Sequence, residues 1–354
     1  MLEWRRRREP SFAMLLMSPV IAIVLTMLLG VLIFSAIGVN GVQAVRDIFL
    51  TPFLEPQRWP DLGVKGAPMI MIALGLAIGF RANVWNIGAE GQYIMGAIAG
   101  TGVALATHDM TGWWILPAMA IAGVLGGMAW AALPALLRVK LQVSEILTSL
   151  MLTYVAVQVL YYLVRGPWKD PDGFNFPQTR MFTADQTLPI VIPETLVHLG
   201  IPLALLLAVI AWLLMERTTA GYAVKVVGQA PAAARHGGFS AAKVTWASLM
   251  ISGGLAGLAG LFEAAGPFGQ LTPQFPVGYG FAAIIVAFLG RLHPLGIVLG
   301  GIVLAATDVG GEIAQTTARL PQAATELFQA LLLFVLLATD VLVRYQISWR
   351  RRAA

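Results

Sequence analysis

The sequence contains no cysteine among its 354 residues and only four histidines. The absence of cysteine excludes disulfides, thiolate metal sites and a cysteine nucleophile. The histidines are isolated from one another, and neither an HExxH nor a GxSxG motif occurs. No lysine follows a glycine, so the chain also lacks a phosphate-binding P-loop. We therefore predict a protein that is not an enzyme, with no catalytic residue, no metal site and no cofactor of its own.

Charge is scarce as well. Charged residues make up 12% of the chain, against roughly 25% in an average soluble domain. Hydrophobic residues make up 58%, and the mean hydropathy is +0.77. This composition predicts an integral membrane protein. The basic residues are scattered over short loops and both tails, which argues against a nucleic-acid partner despite a pI near 9.7.

Apolar runs bounded by charges and by Pro/Gly clusters predict an all-α polytopic bundle of about ten spans (eight to ten), forming a single transmembrane domain over residues 1–354. The second, third, eighth and ninth runs are shorter than the about 20 residues that a bilayer requires, so we expect broken or re-entrant helices there. The predicted spans are 12–37, 66–80, 91–107, 113–137, 143–164, 196–215, 244–265, 277–290, 294–310 and 325–343.

The distribution of arginine predicts the orientation. Arg5–Arg8 precede the first apolar stretch, which is too long for a signal-peptide core and is read as a retained span. Most Lys and Arg residues then fall on the inner side, and an even number of spans returns the arginine-rich C-terminus there. We predict a multi-pass protein of the cytoplasmic (inner) membrane with both termini in the cytoplasm.

A polar run, FRANVWNIGAEGQY at Phe80–Tyr93, lies between two apolar segments. An unsatisfied amide or carboxylate is costly in a bilayer, so such groups face protein, water or cargo. They either satisfy and cap the ends of a broken helix or line a translocation path, where amides suit hydroxyl-rich cargo and rings suit a cyclic one. The candidate pathway residues are Phe80, Asn83, Trp85, Asn86, Glu90, Gln92 and Tyr93.

Other acidic residues in the apolar part receive less specific interpretations. Glu145 follows Ser144 at the start of a span, which favours a role in capping that helix. Glu263, Asp308 and Glu312 fall near predicted outer helix ends, where a carboxylate can reach the interface. Small-xxx-small glycine pairs recur along the spans and predict close helix packing.

Two kinds of loop are long enough to bind a partner. The inner segment 216–243, called here the coupling segment, is predicted to contain a helix of one or two turns that begins at Pro231 and is capped by a left-handed Gly237. So short a helix must pack on its own membrane domain or on another protein. The outer segments 38–65 and 165–195 either receive a partner or only connect spans.

Four segments resemble permease subunits of bacterial ABC importers. They are NIGAEGQ at 86–92, VSEILTSLMLTYVA at 143–156, VVGQAPAAARHGG at 226–238 and GFAAIIVAFLGRLHPLG at 280–296. They occur in the expected order and cover most of the chain from about residue 66. The nearest group is the nucleoside and simple-sugar branch, related to ribose and branched-chain amino-acid permeases.

The resemblance implies a transmembrane subunit that pairs with a second permease copy or a paralogue. It also implies cytoplasmic ATPase subunits that carry ATP and Mg, and an extracytoplasmic binding protein that delivers cargo. Two positions depart from the family pattern: Ala232 and Ala233 replace a frequent acidic residue, and Ala282 or Ala283 replaces a frequent Asp. By resemblance, ATPase coupling falls on Gly228, Pro231, Ala234, Arg235 and Gly237.

The predicted function is therefore ATP-driven import of a nucleoside or a related purine or pyrimidine compound by alternating access. A simple sugar is the second candidate cargo. The alternatives are a secondary transporter or channel that works without ATPase subunits, for which short paired spans are also suitable, and an intramembrane enzyme, which would need a convergent acid/base or metal constellation that the sequence does not contain.

Overall fold

The structure, a computed structural model, describes residues 2–6 and 12–349, with side chains from 17 to 339 and at 341. Over these residues the chain is almost entirely helical, which confirms the predicted all-α class. The helices are α1 (Phe12–Ala36), α2 (Gly41–Phe49), α3 (Thr51–Leu54), α4 (Trp59–Arg81), α5 (Ala89–Ala106), α6 (Ile115–Leu141), α7 (Glu145–Arg165), α8 (Gly200–Arg217), α9 (Thr219–Gln229), α10 (Pro231–His236), α11 (Ala241–Glu263), α12 (Tyr279–Leu289), α13 (Pro294–Thr317) and α14 (Gln322–Arg344).

Shorter elements complete the fold. The turns Pro56–Arg58 and Ala184–Gln186 are 3-10 helical, and Ala264–Phe268 continues α11 as a π-helical turn. Two strands, β1 (Leu2–Arg6) and β2 (Tyr345–Trp349), pair antiparallel with Leu2 opposite Trp349. They are the only strands within the described residues.

Eight helices of the described chain are long and apolar enough to cross a membrane, by length and composition. This number agrees with the predicted eight to ten spans. The spans are Met17–Ala36, Pro56–Arg81, Ile115–Leu141, Glu145–Arg165, Gly200–Arg217, Ala241–Phe268, Pro294–Thr317 and Gln322–Thr339.

The four weakly predicted spans divide into two kinds. α12 has 11 residues and is short as expected, and α5 does not satisfy the same length and hydropathy requirement. The prediction that 66–80 and 294–310 are short is wrong, because α4 has 23 residues and α13 has 24. α4 starts before Asp61 and Lys65, and α13 continues past Asp308, so these charges lie inside helices rather than ending them. Arg7, Arg8 and residues 350–352, which entered the orientation argument, lie outside the described residues.

The chain divides into two compact units. The first comprises Met1–Trp59 and Ala306–Ala354. In its described part α1 packs along α14, where Phe34 and Phe328 stack with ring centroids 5.9 Å apart. Phe49 of α2 meets the edge of the same Phe328 ring at 5.2 Å. Asp47 of α2 accepts a hydrogen bond from the Thr317 hydroxyl at 2.8 Å, which ties α2 to the end of α13.

The second unit is Pro60–Ala305, and α5, α6 and α11 form its centre. These helices approach so closely that a Cβ atom at Gly96 would collide with the Cα of Gly257. A Cβ at Gly127 would likewise collide with the carbonyl of Gly253. Only glycine permits backbones to approach in this way, so the glycine pairs predicted to pack helices do so here.

The 165–195 loop is folded against the same unit. Gln186 donates a hydrogen bond from Nε2 to the carbonyl of Ala104 at 2.8 Å, at the end of α5. The backbone N–H of Thr179 donates to the Leu271 carbonyl at 3.0 Å, and the N–H of Leu271 donates to Thr179 Oγ1 at 3.0 Å. At the tip of the loop, Phe174 is 93% exposed. The loop is therefore ordered where it meets the helices, and it presents an apolar ring to its surroundings.

Candidate functional site

The polar run Phe80–Tyr93 connects α4 to α5. α4 ends at Arg81, and the backbone turns through Asn83, whose φ of 57° lies in the left-handed region that Asn tolerates better than most residues. The N–H of Val84 donates back to the carbonyl of Gly79 at 2.9 Å, which closes the turn. α5 then begins at Ala89, with Gly88 at its N-cap position and no side-chain cap. The run is thus a loop followed by the first turns of a helix.

Asn86 and Gln92 hydrogen-bond to each other and are both 1% exposed. Asn86 Nδ2 donates to Gln92 Oε1 at 2.7 Å, and Gln92 Nε2 donates to Asn86 Oδ1 at 3.0 Å. Asn86 Nδ2 also donates to Ser252 Oγ at 2.9 Å, on α11. Neither side chain caps α5. Instead, the reciprocal amide pair fastens the loop to the first turns of α5 and to the middle of α11.

Glu90 holds the start of α12. Its carboxylate is 2% exposed, and it accepts hydrogen bonds from the backbone N–H groups of Gly278 at 3.0 Å and Gly280 at 2.6 Å. Gly278 is the N-cap residue of α12, with a φ of 86° that favours glycine. The first N–H groups of a helix lack partners within it, and a carboxylate satisfies them while complementing the helix dipole. Glu90 therefore caps a helix that lies far from it in sequence.

The aromatic residues of the run stack on protein rings. The centroids of Phe80 and Trp85 are 5.0 Å apart, and the Phe288 ring of α12 lies 5.2 Å from Phe80 and 6.0 Å from Trp85. Trp85 Nε1 donates to Asn83 Oδ1 at 3.2 Å, and Asn83 is exposed. The three rings hold the loop against the end of α12.

Glu145, predicted to cap its own helix, has a different set of contacts. Ser144 makes no side-chain cap bond. The Glu145 carboxylate accepts a hydrogen bond from the backbone N–H of Trp85 at 3.3 Å and forms an ion pair with Arg138 Nε at 3.2 Å. The simple capping interpretation is therefore wrong, because Glu145 binds the polar run and α6.

Tyr93 differs from the rest of the polar run. It is 0% exposed, and its hydroxyl has no hydrogen-bond partner among the described residues. Its ring stacks on Phe275 at 5.0 Å, and it meets the edge of Tyr279 at 6.2 Å. Of the seven candidate pathway residues, Tyr93 is the one with a buried polar atom left unsatisfied.

Sequence reasoning placed Glu263 at an interface that its carboxylate can reach. The structure contradicts this, because Glu263 is 4% exposed at the end of α11. The π-helical turn Ala264–Phe268 continues the chain from this helix end, and Phe275 beyond it stacks on Tyr93 of α5, an arrangement that hydropathy cannot reveal. Three other functional candidates were missed: Ser252, one of three hydroxyl side chains in the apolar helix α11, and Phe275 and Gly278, which lie outside any predicted motif.

The coupling segment forms the helix pair α9–α10. As predicted, a short helix begins at Pro231, which occupies its first turn where a missing N–H costs nothing. Ala234 is buried and Arg235 is exposed. The predicted left-handed cap at Gly237 is wrong, since its φ is −76°. Gly238, with a φ of 82°, makes the left-handed turn one residue later.

The coupling segment is joined to the polar run. Glu216, at the end of α8, accepts a hydrogen bond from Arg81 Nη1 at 3.0 Å and from Lys225 Nζ at 2.6 Å. Gly228 of α9 lies directly on the backbone carbonyl of Arg81, where no Cβ would fit. Beneath these polar contacts, a continuous apolar cluster links both parts; it contains Ile78, Ala82, Val84, Ala135, Met215, Val224 and Leu249. α9 is therefore seated on the end of α4, where the polar run begins.

Within the described residues, no group of three His, Asp or Glu side chains is placed to hold a metal ion. The polar clusters described above are instead hydrogen-bonded side chains, together with the charged group of Arg81, Glu216 and Lys225. Their chemistry is the binding and positioning of polar groups.

Comparison with known proteins gives a consistent assignment. The family model described as branched-chain amino acid transport system / permease component matches residues 61–339. The chain is 34% identical over 341 residues to a glucose ABC transporter permease protein of Haloferax volcanii, covering 94% of this chain and 89% of the relative. It is 28% identical over 332 residues to a guanosine ABC transporter permease protein of Bacillus subtilis, covering 93% and 95% respectively. A nucleoside ABC transporter permease protein of Lactococcus lactis subsp. cremoris is 27% identical over 300 residues, 82% of each chain. No solved structure gives a significant match.

Proposed function

The chain belongs to the family of permease components of branched-chain amino acid transport systems, and on that basis we propose that it is the membrane subunit of an ATP-driven importer whose cargo is a nucleoside or a related purine or pyrimidine compound. The nucleoside and guanosine permease relatives support this cargo class. The relative from Haloferax volcanii supports a simple sugar as the second candidate. Both classes are rings that carry hydroxyl groups.

The ATPase partner would bind the coupling segment. Pro231, Ala232, Ala233 and Arg235 are exposed on or beside α10 and together offer a small, slightly basic surface that a groove can approach closely. A helix of 6 residues is not stable alone in water, and here it is held by its neighbours α9 and α11. ATP and Mg would be bound by that partner, and this chain would supply no cofactor.

The observation that carries the proposal is the contact between α9 and the end of α4. A displacement of α9–α10 by the ATPase would reach Arg81 through Glu216 and through the backbone contact at Gly228. Arg81 leads directly into the polar run, whose Glu90 holds α12. The contacts thus form an unbroken physical connection from the coupling segment to α12, as alternating access requires.

On the opposite side of the membrane, cargo would arrive from an extracytoplasmic binding protein. The exposed Phe174 on the 165–195 loop is a suitable contact for that partner. The hydrogen bonds between Thr179 and Leu271 would carry the effect of docking to the residues that follow α11. A second permease, either a copy of this chain or a paralogue, would complete the pathway. The termini and α10 would lie in the cytoplasm, and the protein would reside in the cytoplasmic membrane.

The proposal is tested with the chain reconstituted in vesicles together with its ATPase, second permease and binding protein. We expect uptake of labelled guanosine that requires ATP on the side of the membrane where the ATPase is bound. Uptake should stop when ADP replaces ATP. ATP-dependent uptake of glucose instead would select the sugar alternative. Uptake by this chain alone without ATP would overturn the proposal in favour of a secondary transporter or channel.

A further inference from the structure

Two complementary polar groups lie buried and unsatisfied between α5 and α11. The Tyr93 hydroxyl, a donor and an acceptor, has no hydrogen-bond partner among the described residues. The Glu263 carboxyl group, which can accept a hydrogen bond, is 4% exposed. It forms no hydrogen bond with another described residue. Glu263 follows Gly260 by one helical turn of α11, and a Cβ atom at Gly260 would meet the backbone oxygen of Tyr93, so the two side chains project from adjacent stretches of α11 and α5.

Such an arrangement is costly if it serves stability alone. A buried hydroxyl without a partner destabilises the folded protein, and a buried carboxyl group without one does so more strongly. An ionisable side chain in a membrane-spanning segment is rare unless it meets cargo, a proton or another charge. The backbones fix the positions of both groups, because a Cβ at Gly260 would collide with the carbonyl carbon and oxygen of Tyr93. The two side chains therefore cannot move apart to find other partners without separating α5 from α11.

A short non-helical segment covers this pair. Gly269–Gly278, called here the cover segment, contains Phe275, whose ring stacks on that of Tyr93 at 5.0 Å. Its two end residues have φ values of 65° and 86°, in the left-handed region where glycine has the least strain. The segment itself is held by the hydrogen bonds between Leu271 and Thr179 and by the bond from Gly278 to Glu90, so cargo would displace the Phe275 ring and not the whole segment. Phe268 meets the edge of Phe275 at 5.3 Å and belongs to the same aromatic layer.

The geometry points to a binding site for a hydroxyl group of the cargo between Tyr93 and Glu263, with the ring of Phe275 against the apolar face of the bound molecule. A cargo hydroxyl would accept a hydrogen bond from the Tyr93 O–H and donate its own proton to the Glu263 carboxylate. Both unsatisfied groups then gain a partner, as does the cargo. This proposal rests on the proposed transport function. It adds the chemical class of the ligand, which is a cyclic compound with free hydroxyl groups, either a nucleoside or a monosaccharide.

The site differs from the rest of the polar run in a physically important way. Asn86, Gln92 and Glu90 already have protein partners, so cargo that bound them would have to break existing hydrogen bonds. Cargo at Tyr93 and Glu263 breaks none. It would instead displace the Phe275 ring from Tyr93, which loses a single ring-stacking contact. The displaced ring can then pack on the cargo, so that the site favours entry without holding cargo tightly.

The test measures discrimination between a cargo and its monodeoxy analogues. The reconstituted complex is supplied with saturating binding protein preloaded with guanosine, 2′-deoxyguanosine, 3′-deoxyguanosine or 5′-deoxyguanosine, so that the preference of the binding protein cancels. A parallel series uses glucose and its monodeoxy analogues. We expect the wild-type complex to move one deoxy analogue about tenfold more slowly than the parent compound, as the loss of a hydrogen bond implies. The series in which this occurs identifies the cargo class.

In Glu263→Gln and Tyr93→Phe, the parent compound should slow to the rate of that deoxy analogue, and the analogue itself should move at its wild-type rate. Glu263→Asp, which keeps the charge but shortens the side chain, should retain part of the discrimination. Basal ATP hydrolysis by each purified complex shows that the variant has folded and assembled. If Glu263→Gln does not assemble, Tyr93→Phe and Glu263→Asp carry the test.

The matched control is Thr101→Val. Thr101 lies on the same helix as Tyr93, about two turns further along it, is fully buried and also has a hydroxyl without a partner among the described residues. It should keep wild-type discrimination. Equal discrimination in wild type, Tyr93→Phe and Glu263→Gln would overturn the site while leaving the transport function intact. Absence of ATP-driven uptake of either class by the wild-type complex would overturn the proposed function itself.

Discussion

The Glu90 carboxylate accepts a hydrogen bond from the backbone N–H of Gly280 at 2.6 Å, although the two residues lie 190 positions apart in sequence. This bond joins the first turn of α5 to the first turn of α12. Together with the second bond, from Gly278, it means that a single acidic side chain caps the N-terminus of an 11-residue helix. The local stability of α12 and the position of the polar run are therefore linked.

Replacing Glu90 by Ala should destabilise the assembled protein by about 1–3 kcal/mol, because it leaves two helix-terminal N–H groups without their acceptor. Transport should fall in parallel. Thermal unfolding of the purified complex, followed by tryptophan fluorescence, measures the effect. The control is Glu326→Ala, since Glu326 is exposed and bonds to Gln322 on the surface at 3.2 Å. A transition temperature for Glu90→Ala as high as that of the control would contradict the capping role.

Asn86 and Gln92 should behave as one unit. Asn86→Leu removes both partners of the Gln92 amide and leaves it buried, so the single change should impair transport and cost about 2 kcal/mol. Gln92→Leu should cost a similar amount. The double variant should be less destabilised than the sum of the two, because no amide is then left unpaired. Chemical unfolding of the four proteins gives the coupling energy, and simple additivity would show that the pair does not interact.

The triplet of Arg81, Glu216 and Lys225 should matter more for coupling than for stability. These side chains are partly exposed, and ion pairs of that kind contribute about 0–1 kcal/mol. We expect Glu216→Gln to change the unfolding temperature little but to lower the amount of cargo moved per ATP hydrolysed. The double exchange Arg81→Glu with Glu216→Arg should restore part of that ratio. An unchanged ratio in Glu216→Gln would remove the triplet from the coupling route.

Arg235→Glu should weaken assembly with the ATPase, because it reverses the charge at an exposed position of the proposed docking surface. Co-purification of the ATPase at increasing salt concentration measures this effect. Lys243→Glu is a matched charge reversal at another exposed position of the coupling segment and should leave assembly unchanged. If the two variants retain the ATPase equally, α10 is not the docking element.

His198 predicts a dependence of stability on pH. The ring is buried beside the start of α8, Nδ1 accepts a hydrogen bond from the N–H of Gly200 at 3.1 Å, and burial lowers the pKa of the imidazole from its ordinary 6.5. The unfolded chain therefore binds a proton before the folded one does. Stability should be fully present above about pH 6.5 and decrease as the pH falls below it.

His198→Asn should show a smaller loss of thermal stability between pH 7 and pH 5 than the wild type does. His236→Asn is the control, since His236 is exposed on α10. If wild type and His198→Asn lose stability equally on acidification, other groups are responsible.

The sequence predicted the helical class and most of the spans, but not the full length of α4 and α13 and not the partners of the polar groups. Hydropathy identifies a span because it averages over many residues. By contrast, the bonds from Asn86 to Ser252 and from Glu90 to Gly280 join residues more than 160 positions apart, with separations of 166 and 190. No local pattern encodes such a pairing. The same reason explains Glu145, which a local rule assigned to its own helix and which instead binds the N–H of Trp85.

Glu263 was misjudged for a related reason. A carboxylate near the end of an apolar segment normally reaches water. Here the segment after it turns back instead of leaving, through a π-helical turn and two left-handed glycines. Pro267 and Gly269 indicate an irregular backbone after α11. The direction in which the chain continues, however, depends on the packing of Phe275 against Tyr93. Similarly, local sequence located the turn after α10 but not which of two adjacent glycines would make it.

The glycine contacts among α5, α6 and α11 restrict where the protein can deform. Where Gly96 lies on Gly257 and Gly127 lies on Gly253, there is no flexible side chain to absorb a displacement, so any sliding or rotation of one helix pushes main chain into main chain. These three helices should therefore move as one body throughout a transport cycle. The deformation must be concentrated in attachments such as the cover segment and the start of α12, and a ligand wedged at the start of α12 would arrest transport without competing with cargo.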